Sequence, residues 1–148
     1  RYVLYESNED KVSLEKEIQY IDNAVNLQLQ RLSPELAGQI NYQVKGDWQN
    51  HKIAPMILIP FIENVFKHGI ILSQRSEILI SIFLSANLLI LDTKNLKSNH
   101  SISTKDPNSG IGLKNAKERL QLLYPNKHKL EIDDSGSSFC VRLEIQIN

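Results

Sequence analysis

The final strand-like segment constrains the architecture most: Phe139, Val141, Leu143, Ile145 and Ile147 alternate strictly. Successive side chains of a strand point to opposite faces, so this is a strand with one apolar face. A sheet of that kind needs cover on one side only. "EILISIFL" and "LLILDTK" are two more strand-like runs, joined through Ser85, Ala86 and Asn87. "QINYQVK", residues 39 to 45, alternates before a Gly46–Asp47 turn, and "KLEID" precedes a turn at "DSGSS".

The cover comes from helical stripes. Leu14, Ile18, Ile21, Val25, Leu29 and Leu32 recur at steps of three or four over residues 12 to 32, the spacing of an amphipathic helix. Ser13 stands at its N-cap position, Glu15 and Glu17 suit the positive end of its dipole, and Ser33-Pro34 stops it. A second helix starts near Pro55 or Pro60 and ends at Gly69. Both prolines cannot occupy one first turn, so a kink or a late start is expected. A third helix opens at "GIGLKN", with Leu113, Ala116, Leu120 and Leu123 on one face. The order of elements predicts an α+β two-layer sandwich: a mixed, mostly antiparallel sheet with helices on one face. Residues 95 to 109, "NLKSNHSISTKDPNS", are polar and without period. A loop longer than about 12–15 residues inside a compact domain is usually functional or disordered, and this one is a lid candidate.

Composition narrows the function classes. A length of 148 residues fits one domain. Lys plus Arg is 17 and Asp plus Glu is 17, so the net charge is zero and the broad basic field of a nucleic-acid binder is missing. The single cysteine, Cys140, excludes an internal disulfide and suits a reducing compartment; within an alternating strand it reads as an inert, half-buried thiol. Unbroken apolar runs such as Met56 to Ile59 are too short to span a bilayer. The chain opens on Arg1 without a signal peptide and so reads as a fragment of something longer. His51, His68, His100 and His128 show no metal-ligand spacing, so no zinc site is expected.

Two segments carry chemistry. "PFIENVFKHGI", residues 60 to 70, puts Glu63, Asn64, Lys67 and His68 within an arc of roughly 140° on a helical wheel, opposite Leu58, Phe61, Ile62, Val65 and Phe66. In isolation this is an ordinary solvated helix face. The sharper alternative is a carboxylate, an amide and an ammonium converging on one polyphosphate. Asn64 can offer an oxygen to magnesium, and Lys67 a point charge to phosphate. "SGIGLKN", residues 109 to 115, places glycines at a helix start. There backbone N–H groups can approach an anion that the dipole also favours, though a flexible helix start would read the same way. No G-K-[ST] follows, so it is not a P-loop, and no strand precedes it as in a dinucleotide fingerprint.

In this order and separation the two segments resemble the LytS-like family of sensor histidine kinases, within the GHKL ATPase superfamily. "PFIENVFKHGI" is similar to that family's N box, whose core is E-N-x-x-K-H-G, and "GIGLKNAKERLQLLYPNKHKL" to its G2 box and following helix. "RYVLYES", "VSLEKEI" and "LQLQRL" resemble the end of the histidine-bearing dimerisation region. The resemblance spans nearly the whole chain. It implies a GHKL (Bergerat) ATP-binding catalytic domain over residues 34–148, with residues 1–33 the end of the dimerisation and phosphoacceptor region and its connecting helix. ATP and Mg are the implied cofactors. Asn64 is the implied magnesium ligand and Lys67 a phosphate contact, with His68 beside it. Glu63 is implied either in polarising the attacking side or in supporting the metal; the family's partner position one turn before the Asn is here Pro60. Gly110 and Gly112 match the glycines that hinge the lid and line the phosphates. Leu113 and Asn115 complete the nucleotide-binding set, and Arg119 lies on the polar side of the same helix.

The superfamily's G1 box, D-x-G-x-G, uses its Asp to accept a hydrogen bond from the adenine amino group. The corresponding strand end reads "ILDTKNLKSN", without glycines. In-phase alternation of Leu89, Leu91, Thr93 and Asn95 puts Asn95 in that place, and Asp92 is the out-of-phase alternative. The resemblance implies a kinase domain that donates the γ-phosphate of ATP to a histidine in a "PHFLFN"-like segment outside these residues. The rival is a degenerate GHKL domain serving as a non-catalytic interaction module. The implied setting is a membrane-anchored bacterial homodimer with this domain in the cytoplasm. Its partners are the histidine-bearing region of the same protein and a response regulator of the LytTR type, with no nucleic acid. On its own the chain should not label itself from Mg·ATP, because none of its histidines has the acceptor context. Acid-labile, base-stable phosphate on the isolated chain would overturn this, and adding the upstream region should restore labelling.

Overall fold

The computed structural model describes residues 11–70, 77–97 and 110–147. The opening "RYVLYES" and the expected lid from residue 98 onward lie outside the described residues. In chain order the elements are β1 (Val12–Ser13), α1 (Leu14–Gln30), α2 (Pro34–Ala37), β2 (Ile40–Lys45), β3 (Lys52–Ile53) and α3 (Ile59–Gly69). They continue with β4 (Ile78–Ser85), β5 (Leu88–Leu96), α4 (Ile111–Leu123), β6 (His128–Asp133) and β7 (Ser138–Gln146). Five strands form one sheet in the order β2-β4-β5-β7-β6, and β1 pairs with β3 separately. Only β2 and β4 run parallel; the other neighbours are antiparallel. This is the mixed α+β sandwich that the alternation predicts.

The alternation works as physics requires. On β5, the central strand, Leu89, Leu91, Thr93 and Asn95 are buried while Asp92 and Lys94 face out. Leu91 lies in register between Ile82 of β4 and Leu143 of β7, so one row of inward side chains crosses the sheet. Helix α3 packs on β4 and β5, and its Phe61, Ile62, Val65 and Phe66 join the same core. Helix α4 adds Ala116 and Leu120. Helix α1 adds Leu14, Ile18, Ile21 and Val25 to that same cluster.

Local differences from the sequence reading have physical reasons. Ser13 is at the N-cap of α1 but its hydroxyl makes no cap bond. Its backbone belongs to β1, paired with Lys52, and Leu14 N–H donates to the carbonyl of His51 at 2.9 Å, so a strand ladder rather than a side chain starts the helix. Helix α3 takes the late start: Pro60 sits in its first turn and Pro55 stays in the preceding segment. Ser33 caps the short α2 by accepting from Leu36 N–H at 3.3 Å, an element without enough residues to show a period. Tyr42 of β2 donates to the Asp22 carboxylate of α1, and burial first, then that bond, push its phenol far above its ordinary value.

Leu91 is 0% exposed, whereas Leu122 on α4 is 77% exposed. Leu91→Ala should therefore lose about 2–5 kcal/mol of stability through lost burial and a cavity. Leu122→Ala should stay within about 0.5 kcal/mol of the parent. Urea unfolding monitored by circular dichroism checks both.

Candidate functional site

Helix α3 forms because one stripe is apolar and its first turn tolerates Pro60. Its outward arc carries Glu63, Lys67 and His68 exposed, with Asn64 half-buried at the boundary. The two cations lie in the last turn, where the negative end of the helix dipole favours them. Gly69 ends the helix directly over β5. A methyl group at Gly69 would stand 2.8 Å from Cβ of Asn95 and 3.0 Å from Cδ1 of Ile78, so only glycine lets the helix end lie this close.

Beneath it, Asn95 is 1% exposed and Thr93 2% exposed. Asn95 Nδ2 donates to the carbonyl of Leu96 at 3.2 Å, which fixes the amide with its oxygen turned the other way. That Oδ1 and the Thr93 Oγ1 are both buried without a hydrogen-bond partner. An unanswered buried polar atom costs about 1–3 kcal/mol, so two on one strand face call for a reason. A ligand with an N–H donor would answer Asn95, and the Thr93 hydroxyl can donate or accept.

Asp92, the out-of-phase alternative, lies on the other face of the sheet. Its carboxylate is paired with the Arg142 guanidinium at 3.1 Å, directly across the β5–β7 ladder. The structure thus puts Asn95 under α3 and Asp92 away from it.

Helix α4 packs against α3. Gly110 is its N-cap with φ 89°, a left-handed conformation that side-chain-bearing residues avoid. Among the described residues no heavy atom lies within 4 Å of a Cβ built at Gly110 or at Gly112. No acidic side chain occupies that turn to use up the dipole. Leu113 is half-buried against the core and Asn115 is exposed. Arg119 is engaged elsewhere: its guanidinium donates to the carbonyls of Met56 at 3.1 Å and Pro55 at 2.8 Å.

Among the described residues no group of three or more His, Cys, Asp or Glu could hold a metal by itself. The half-exposed Asn64 amide fits a different arrangement, since magnesium is commonly held by one or two protein oxygens together with substrate phosphates. The residues present therefore suit a metal that arrives with a polyphosphate. The sequence marks Thr93 only as a member of the β5 alternation and Gly69 only as the helix end and closing glycine of the N-box core, neither as a site residue. Thr93 interrupts an otherwise aliphatic inward row and Gly69 closes a helix, and both signals also occur in ordinary cores.

Substitutions at the two helix-start glycines should move stability in opposite directions. Gly110→Ala should lose about 1–2 kcal/mol because of its positive φ. Gly112→Ala, in helical backbone and with no described atom in the way of a methyl group, should gain roughly 0.5–1 kcal/mol. Urea titration of both variants checks the pair.

No family model and no curated protein matches the chain. Solved structures do. The histidine kinase AdeS of Acinetobacter baumannii superposes with a TM-score of 0.56 at 14% identity, over 93% of this chain and 66% of that one. The nucleotide-free catalytic domain of histidine kinase ThkA gives a TM-score of 0.58 at 12% identity, over 92% of this chain and 93% of that domain. The histidine kinase domain of a blue-light activated kinase of Erythrobacter litoralis gives 0.57 at 16% identity, over 93% and 68%. At such identities the likeness is one of fold: the chain has the α+β fold of histidine kinase catalytic domains.

Proposed function

We propose that this chain is the ATP-binding catalytic domain of a LytS-like sensor histidine kinase. One observation carries the reading. Asn95 offers a buried, unanswered acceptor directly beneath the end of the helix that presents Asn64, Lys67 and His68. The fold and the glycine-bounded start of α4 support it.

On this reading the adenine amino group donates to Asn95 Oδ1, and the triphosphate runs between α3 and the N-terminus of α4. Backbone N–H groups after Gly110 and the α4 dipole meet the phosphates. Lys67 adds a cation and His68 a further polar contact, and Asn64 supplies the protein oxygen to magnesium. Magnesium held there with the nucleotide would neutralise phosphate charge. Glu63, exposed next to Asn64, would orient the attacking side or the metal's water shell. Leu113 and Asn115 flank the phosphate turn. The protein's task in phosphoryl transfer is positioning and charge neutralisation, which this set of groups can do.

The wider setting belongs to the same proposal. The acceptor histidine would lie in a dimerisation region of the same protein, working as a homodimer, with residues 1–33 leading out of it. A response regulator of the LytTR type would receive the phosphate. A cytoplasmic domain of a membrane-anchored protein suits the finding that, among the described residues, no helix is long and apolar enough to cross a membrane.

Isothermal titration with Mg·ATP tests the reading. Binding should be present but loose, because a neutral acceptor at position 95 makes a weaker bond than a carboxylate; a loss of about 1 kcal/mol is several-fold in affinity. Asn64→Ala should weaken Mg·ATP strongly. Asn95→Leu should reduce ATP binding and erode its advantage over GTP, while Asp92→Asn should change little. Equal affinity in all the variants would sink the residue assignments. No binding by the parent would leave the non-catalytic module in place of the kinase.

A further inference from the structure

Resting on the nucleotide reading, we propose that Arg119 is a positioning residue for the phosphate side of the site, setting α3 against α4 by holding the backbone of residues 55–56. The segment between β3 and α3 is buried at Ala54, Ile57 and Leu58 and half-buried at Pro55 and Met56, so its backbone polar groups need partners. Side chains from two helices supply them. Ala54 N–H donates to the Tyr124 hydroxyl at 2.9 Å, and Met56 N–H donates to Glu17 Oε1 at 2.8 Å. Arg119 Nη2 donates to the Pro55 carbonyl at 2.8 Å and Nη1 to the Met56 carbonyl at 3.1 Å. In this latch Glu17 is 0% exposed and Tyr124 2% exposed, while Pro55, Met56 and Arg119 are half-buried at the edge of the core. Burial raises the Tyr124 phenol, against the Ala54 N–H and the Arg119 charge, which act to lower it.

Met56 has φ 59°, a left-handed turn that a residue with a Cβ avoids. The turn accompanies two successive carbonyls converging on one guanidinium. A rigid planar fork can meet both at once; an ammonium is a single point. Glu17 and Arg119 thus grip the two ends of Met56, one from α1 and the other from α4.

The geometry makes this grip matter for phosphate and not for base. Gly69 pins the far end of α3 on Asn95, so loosening residues 54–58 frees the helix at its beginning. Asn64 lies five residues after Ile59, the first residue of α3 (64 − 59). Arg119 lies nine residues after Gly110 on a continuous helix (119 − 110), about 13 Å along the axis. A slip at Arg119 therefore changes where Asn64 stands relative to the amides at the start of α4. A misplacement of about 1 Å in such a constellation costs on the order of a hundredfold.

Calorimetry of the chain and of Arg119→Lys, with adenosine and with Mg·ATP, separates the two effects; thermal unfolding checks that the variant is folded. Adenosine affinity should stay within about twofold, while Mg·ATP affinity should fall about tenfold or more. Should Arg119→Lys fail to fold, Glu17→Gln carries the same test. Its amide oxygen still accepts from Met56 but without charge, so the same selective loss should appear at smaller size. A loss that is equal for both ligands, or no loss for either, overturns the proposal while leaving the nucleotide reading standing. A parent chain that binds neither ligand overturns that reading and this proposal with it.

Discussion

The inward face of β5 is the constraint on which everything else rests. It is the middle strand of the sheet, and its buried row runs from Leu89 and Leu91 into Thr93 and Asn95. The first two fix the strand in the core by burial against Ile82, Leu143 and Ile145. Because side-chain direction has a period of two, that anchoring forces Thr93 and Asn95 to point inward as well. Core and candidate site are therefore one continuous surface, apolar at one end and polar at the other. A register slip by one residue would bury Asp92 and Lys94 and destroy both.

Helix α3 is held at two points of different character, one on this strand and one on the neighbouring helices. At its end the contact is steric, with Gly69 laid on Asn95 and no room for a side chain. Before its start the contact is polar, with residues 54–56 held by Glu17, Arg119 and Tyr124. Helices α1 and α4 thus both act on α3 through the few residues in front of it. That arrangement explains why α1, with Leu14, Ile18, Ile21 and Val25 in the common core, packs as part of the sandwich.

Much of the fold was legible because burial imprints a period. The stripe of α1 and the alternation of β2, β4, β5 and β7 each repeat over enough residues to be read. Elements too short to repeat were not: β1 and β3 are two residues each, and α2 is four. Of the site, the polar arc of α3 and the glycines before α4 stood out because their residue types are unusual for their positions. The phase of β5 was also readable, and it sends Asn95 inward and Asp92 into its pair with Arg142. The latch was not readable. In sequence Glu17 suits a helix dipole and Arg119 stands with Asn115 on the polar side of α4 as a lesser site candidate, and only tertiary contact shows that both serve the backbone of residues 54–56. Sequence spacing carries no information about which distant carbonyl a long side chain will find.

The amide of Asn95 has one more consequence. A carboxylate at this depth would carry its charge into the interior of the empty protein, and burial would lift its pKa or demand a counter-charge. An amide does neither, because it does not ionise. The resting site therefore adds no proton-linked term to folding at this position. Acidification protonates Asp133, whose carboxyl is held low by the hydroxyl and N–H of Ser135 at the sheet edge, while the floor of the site stays silent. The strand end proposed to meet the base is thus indifferent to pH across the carboxylate range.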